Sequence, residues 1–305
     1  MADDLPPVAP HSASPPAPSL ASPQRLRLEW FGATQSVDIH CHCLPGVDDG
    51  PATLDDAVAL CRALVADGIT TAIATPHQLG RYDRRNSGPE VRAAVEKLRE
   101  ALARLGVPLA VLPGADVRVD ERLPALLDAG HVLTLGDTGK YVLLELPHET
   151  YIDPLPLIRL LVARGIRPLV SHPERHEHVS KRPQLVVPWL KHGALLQVTS
   201  GSLVGDFGTS AERCAWELMN SAAVAFVASD AHGAVKRPPR MSAAIDLIGR
   251  RLGKAAAARV CVENPARVLG TVARRGWGNR GAAGSAVAGG TLESSNESMA
   301  HHRIG

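Results

Sequence analysis

Apolar and polar positions alternate along this chain in two rhythms. Short aliphatic runs lie near residues 36–40, 70–75, 109–115, 141–146, 166–171, 194–199 and 223–229, and each has the length and composition of a buried strand. Between them lie longer stretches with helical spacing. Asp55 to Asp67 places Ala57, Val58, Leu60, Cys61 and Leu64 on one stripe and stops at Gly68. Glu90–Leu105, Pro154–Arg164, Ser210–Ser221 and Ser242–Leu252 repeat the pattern, and Ala255–Leu269 reads as a helix broken around Asn264-Pro265. Serial βα units require crossover connections and a parallel sheet. Seven strands in that order favour an α/β architecture closed into a slightly irregular barrel. The first strand is followed by no Gly-x-Gly-x-x-Gly turn, which argues against a dinucleotide-binding sheet.

The chemistry sits where the apolar runs end. Val-Asp-Ile leads into His40-Cys-His42, Ala-Thr-Pro into His77, and Pro-Gly-Ala into Asp116. Val-Leu-Leu leads into Glu145, Leu-Val-Ser into His172, and Val-Ala-Ser into Asp230-Ala-His232. In a parallel barrel the downstream strand ends share one rim, so these side chains should converge there. The two H-x-H and D-x-H pairs each project to one side, because side chains alternate with period two along a strand. Glu145 ends the most apolar run and needs a partner, since an unpaired buried charge is costly. Imidazoles mixed with carboxylates suit zinc, manganese or iron, and carboxylates can bridge two ions. Arg175 follows His172 within the same turn, and Arg237 follows His232, so two guanidinium forks flank the set and match phosphate oxygens. Arg81, Arg84 and Arg85 fit a rim position and a solvated loop equally well.

Composition narrows the class. The balance of 33 basic and 31 acidic residues leaves a formal charge of +2, which gives no electrostatic case for nucleic acid or a membrane surface. No apolar run reaches the length of a membrane helix. Five cysteines form no framework spacing, and the N-terminus has neither the basic nor the apolar segment of a secretory signal, so a reducing, cytoplasmic location is expected. Residues 1–24 read as a disordered Pro/Ala/Ser leader, 25–275 as the folded domain and 276–305 as a loose tail carrying His301 and His302.

One decoy stands out. Cys261-Val-Glu-Asn-Pro-Ala-Arg267 has the Cys-x5-Arg spacing of a nucleophilic phosphatase loop. It carries a repelling Glu263, a Pro265 without an N–H, and no glycine, so a closing helix is the better reading. Cys41 and Cys43 flank His42, but alternation turns them away from the histidines.

The string D-I-H-C-H, V-D-D-G-P, T-P-H, G-A-D, L-L-E-L, S-H-P-E-R, A-S-D-A-H and R-P-P resembles the PHP (polymerase and histidinol phosphatase) superfamily. Within it, the chain is similar to the bacterial capsule-type, metal-dependent protein tyrosine phosphatases over residues 36–270. The resemblance implies a distorted, TIM-like (β/α)7 barrel with two or three divalent ions (manganese, iron or zinc, with manganese favoured). By motif position it implies metal ligation by His40, His42, Asp49, His77, Asp116, Glu145, His172, Asp230 and His232. It implies phosphate contact by Arg175 and Arg237, with Asp230 and His232 joining them in catalysis. The family commonly has Glu where this chain has Asp116. The implied substrate is a tyrosine-phosphorylated kinase of polysaccharide synthesis and export, attacked by metal-activated hydroxide without a phosphoenzyme. Another PHP phosphoesterase activity, on histidinol phosphate or a nucleotide, and a non-catalytic metal-binding, kinase-docking module remain the alternatives. Homo-oligomerisation stays open.

Overall fold

A computed structural model describes residues 36–148 and 150–270. Nine parallel strands appear: β1 Val37–Cys41, β2 Thr71–Ala74, β3 His77–Gln78, β4 Ala110–Pro113, β5 Asp116–Arg118, β6 Tyr141–Glu145, β7 Arg167–Ser171, β8 Leu195–Thr199 and β9 Val224–Ala228. They form one sheet of order β1-β2-β4 and another of order β3-β5-β6-β7-β8-β9. The seven sequence runs and the nine strands agree, because β2 continues into β3 across Pro76 and β4 into β5 across Gly114. Proline removes a ladder donor at the first break. At the second, a Cβ on Gly114 would lie 2.6 Å from Ile73 Cγ2, so the chain crosses there only as glycine. The Asp116 N–H donates to Pro76 O (3.2 Å) and carries the ladder past both breaks.

The circle closes between the last strand and the first. Asp230 N–H donates to His40 O (2.8 Å), His42 N–H donates to Ala231 O (2.9 Å), and Cys41 bridges Ala231 in parallel. The ring therefore has seven chain passes with a seam at the breaks, which is the distortion that the resemblance implies.

Alternation divides the core. Outward Val142, Leu144, Val170, Leu196, Val198 and Val227 pack beneath the surrounding helices, whereas Leu143, Leu169, Phe226 and Ala228 fill an inner cluster. Two residues further along each inner face the character changes: Leu143 gives way to Glu145, Leu169 to Ser171, and Ala228 to Asp230. The apolar plug thus becomes the floor of a polar rim.

The long helices lie at Leu54–Ala66, Gly88–Arg104, Leu155–Ala163, Gly208–Asn220 and Met241–Leu252, within a few residues of the sequence reading. One expectation changes. The last helical stretch is not broken at Pro265; it runs as Lys254–Ala258, a π turn Arg259–Glu263 and Asn264–Val268. Proline has no N–H for the preceding turn and its ring crowds the carbonyl there, and the wider turn takes up both effects. Cys261 is buried in that turn and burial pushes its thiol far up, which suits the helical reading and not a nucleophile. All five cysteines are free and buried. No described helix is long and apolar enough to cross a membrane. The leader, the tail and its His301-His302 pair lie outside the described residues.

Candidate metal centre

The strand ends bring the nine expected ligand residues together. They fall into four overlapping groups: His42, Asp49, His77 and His232; His40, Asp116 and His172; His40, His42 and Asp230; and His77, Asp116 and Glu145. Within each group the candidate donor atoms lie within 4.8 Å of one another. Asp116 is central. Its Oδ2 stands 3.6 Å from His40 Nε2, 3.6 Å from His77 Nδ1 and 3.7 Å from His172 Nε2. On the opposite side Asp230 Oδ1 lies 3.3 Å from His40 Nε2 and 3.5 Å from His42 Nε2. Asp49, from the loop after β1, reaches His77 and His232 at 3.4 Å each. That loop is tight: a Cβ on Gly50 would stand 2.5 Å from His42 O.

Whether this set fits cations can be judged from its own hydrogen bonds. His40 Nδ1 meets Gln197 Oε1 at 2.9 Å, His42 Nδ1 meets Asp48 Oδ2 at 2.6 Å, and His232 Nδ1 meets Asp230 O at 2.9 Å. Each acceptor takes the ring N–H, so the Nε2 lone pair of each histidine points into the cavity. Two of those lone pairs face each other at 3.2 Å, on His40 and His42. His232 Nε2, His77 Nδ1 and Asp116 Oδ2 are buried and make no hydrogen bond. Unsatisfied buried polar atoms of this kind are expensive, and divalent cations on mixed nitrogen and oxygen donors would satisfy them together. The residues present therefore fit a cluster of ions.

The electrostatics agree. Burial, then His232, pushes His42 down to about 3, so its imidazole stays neutral. Burial, then Arg175, pushes His172 well down. Burial pushes Asp116 up to about 7, with Glu145 adding to it. Asp230 is also wholly buried, yet His40 and Arg237 hold its carboxyl well below the usual range. Burial opposes a charge on His77, but the Asp49 and Glu145 carboxylates, each 3.4 Å from a ring nitrogen, raise it to about 11. Protons and arginines offset part of this concentration of carboxylates. His172 (φ 30°), Asp230 (φ 50°) and Arg237 (φ 62°) hold left-handed backbone, which non-glycine residues keep only where surrounding structure enforces it.

Arg175 and Arg237 both bind Asp230 Oδ2, Arg237 at 2.7 Å. Both guanidiniums lie over the Phe207 ring, at 4.2 and 5.7 Å from its centroid. With Arg118, which meets Glu145 at 3.1 Å, they wall a cavity of about 190 Å³ whose floor includes Glu145, His172 and His232. Tyr82, stacked 5.5 Å from His77, and the half-exposed His148 stand at its mouth. Of the arginine loop, Arg81 lines this cavity and pairs with Asp49 at 3.1 Å, whereas Arg84 and Arg85 line a neighbouring one.

Several contributors escaped the sequence reading. Arg118 lies two residues after Asp116 and shares its side of β5, and Gln197 is a polar residue on the inner face of a buried strand, so period two signalled both. Asp48 adjoins the chosen Asp49, and nothing in D-D-G distinguishes the two. Phe207, Tyr82 and His148 lie in loops without periodicity.

Comparison with known proteins follows the same lines. The sequence profile described as "Capsular polysaccharide synthesis, CpsB/CapC" matches residues 36–270. The tyrosine-protein phosphatase YwqE of Bacillus subtilis is 36% identical over 221 residues, covering 71% of this chain and 85% of that protein. CpsB of Streptococcus pneumoniae, also named a tyrosine-protein phosphatase, is 26% identical and covers 76% of this chain and 98% of its own length. A crystal structure from work on YwqE and CpsB, described as unique metal-dependent tyrosine phosphatases, superposes with a TM-score of 0.73 at 34% identity, over 76% of this chain and 94% of the other. An organophosphorus hydrolase from Deinococcus radiodurans, at 18% identity and a TM-score of 0.53, covers 78% of this chain and 94% of its own, and shares the fold.

Proposed function

The chain belongs to the CpsB/CapC family of capsular polysaccharide synthesis, and from that premise we propose that it is a metal-dependent phosphatase that hydrolyses phosphotyrosine in protein. One observation carries the reading: imidazoles and buried carboxylates, several with unsatisfied atoms, cluster in groups within 4.8 Å of one another at a cavity walled by Arg118, Arg175 and Arg237. His40, His42, Asp49, His77, Asp116, Glu145, His172, Asp230 and His232 would hold two or three divalent ions (manganese, iron or zinc). Such ions supply hydroxide near neutral pH and neutralise charge on phosphoryl oxygens.

The chain's own groups do the rest. Gln197, Asp48 and the Asp230 carbonyl fix the tautomers of three histidines, so each presents a lone pair without reorganising. Arg175 and Arg237, held flat by Phe207, present paired N–H donors where phosphoryl charge builds up. Glu145, His172 and His232 are at most 7% exposed, so the phosphoryl group must be delivered to a recessed floor, and a phenyl ring supplies that reach. Leu79 and Tyr82 offer the ring flat apolar contact at the mouth. A phenolate leaves with little protonic help, so a strong general acid is not required. The family description supports a role in capsular polysaccharide synthesis, and the protein substrate we propose there is a tyrosine-phosphorylated kinase.

Purified protein should be assayed on a phosphotyrosine peptide, a phosphoserine peptide and histidinol phosphate. The expected order places phosphotyrosine first by at least about tenfold in kcat/KM. Preference for histidinol phosphate would replace this reading with another phosphoesterase activity.

A further inference from the structure

Beside the active-site cavity lies a second one of about 400 Å³, and the two share Leu79. Its apolar wall is Leu79, Leu126 and Val132, and its rim carries Arg84 and Arg85. We infer that it is a subsite for an acidic side chain that flanks the phosphotyrosine in the substrate protein. This rests on the phosphotyrosine reading of the adjoining site.

Three arginines and two carboxylates line the cavity, a formal charge of +1, and two of the arginines have no ion-pair partner among the described residues. Arg122 is spent: it binds Asp120 at 2.7 Å and Asp83 at 3.2 Å. Glu90 keeps its negative charge while accepting from the Ser87 N–H and hydroxyl at 2.8 Å each to cap the helix that begins at Gly88. The Arg84 and Arg85 guanidiniums have no hydrogen-bond or ion-pair partner among the described residues, and both residues are exposed. Exposed guanidiniums without partners are common, so their placement decides the matter.

The loop that carries them is built, and it is tied to the site. Asn86 Nδ2 donates to His77 O at 3.0 Å, Gln78 Oε1 accepts from Leu133 N–H at 3.0 Å, and Gln78 Nε2 donates to His131 O. Leu79, Arg84 and Asn86 all hold left-handed backbone, at φ 65°, 62° and 57°. The loop thus leaves β3, which carries His77, in a fixed course. It presents two cations without ion-pair partners over an apolar wall next to the phosphoryl cavity, against the single unpaired carboxylate of Glu90. A substrate strand whose phosphotyrosine enters the first cavity passes Leu79, and a nearby Glu or Asp meets the guanidiniums while its methylenes cover Leu126 and Val132. Because the loop is pre-organised, little ordering cost offsets the attraction.

The test uses full-length protein and two phosphotyrosine peptides, one flanked by Glu and one with those positions changed to Gln. In wild type kcat/KM should favour the acidic peptide by about tenfold, as two ion pairs at a partly exposed site allow, and the advantage should shrink as salt screens it. In Arg84→Gln/Arg85→Gln the ratio should fall to near one, while p-nitrophenyl phosphate turnover stays within about twofold. The same peptides made with sulfotyrosine, which is not hydrolysed, should show the same ratio by fluorescence anisotropy. Equal handling of both peptides by wild type, or a preference that survives the double substitution, overturns the inference. If no phosphate ester is turned over while the acidic sulfotyrosine peptide still binds through Arg84 and Arg85, the catalytic reading fails and the subsite stands.

Discussion

The strand-borne floor of the site and its loop-borne wall are built on opposite principles. His40, Asp116, Glu145 and Asp230 lie on or just beyond strand ends, buried, with backbone tied across the barrel seam and side chains tied to Gln197 and Ser171. Tyr82, His148 and Phe207 lie on loops and are more exposed; Tyr82 stacks on His77, His148 on His172, and Phe207 lies beneath Arg175. Damage to the floor should abolish chemistry on every substrate, whereas damage to the wall should change which substrate is handled and how tightly.

The sharpest break in that comparison is Asp230→Asn. It removes a carboxylate that faces two histidines and anchors two arginines. Turnover of both p-nitrophenyl phosphate and phosphotyrosine peptide should fall at least about 10³-fold, as for loss of a central electrostatic group, with a retained circular dichroism spectrum. Next, Gln197→Leu frees His40 to rotate and change tautomer. Metal affinity measured by competition with a chelator should fall about 10–100-fold, and Asp48→Asn should do the same through His42. Equal affinity in both variants would place the tautomer control elsewhere.

The wall should respond differently. Phe207→Ala removes the surface beneath Arg175 and Arg237. KM for the phosphotyrosine peptide should rise about tenfold, the scale of one or two desolvated cation–π contacts, with kcat changed far less. A drop in kcat equal to that of Asp230→Asn would erase the distinction between floor and wall.

The smallest effect concerns pH. Glu174 is buried beneath the site, and burial raises its carboxyl to about 7 despite bonds from Ser202 and the Thr199 N–H. Between the unfolded value near 4.5 and about 7 the folded chain binds the extra proton, so stability should decline as pH rises through that window. Denaturant unfolding of chelated protein should show this loss, about 3 kcal/mol at most, and Glu174→Gln should flatten that part of the profile. Parallel profiles would mean that Glu174 keeps its charge in the fold.

The floor was legible in the sequence because two periodicities reinforce each other there. A buried strand reads as an aliphatic run, and the polar residue that ends it on the inner face announces the rim; His40, Glu145 and Asp230 are all of this kind. The wall was not legible, because a loop places Phe207 under Arg175 through tertiary packing, for which a one-dimensional pattern has no counterpart. Pro265 marks the other limit: a local breaker rule misjudged a helix that widens by one residue instead of ending. The Asp116 carboxyl stands 3.6–3.7 Å from three histidines, so an aspartate side chain reaches the centre of the set.

Elemental analysis of the purified full-length protein, set beside that of an Asp116→Ala/Asp230→Ala variant, addresses the cluster most directly. Two to three equivalents of manganese, iron or zinc per chain, lost on chelation together with phosphotyrosine hydrolysis and largely missing from the variant, are expected. Metal-free protein that hydrolyses phosphotyrosine at the full rate would contradict the account.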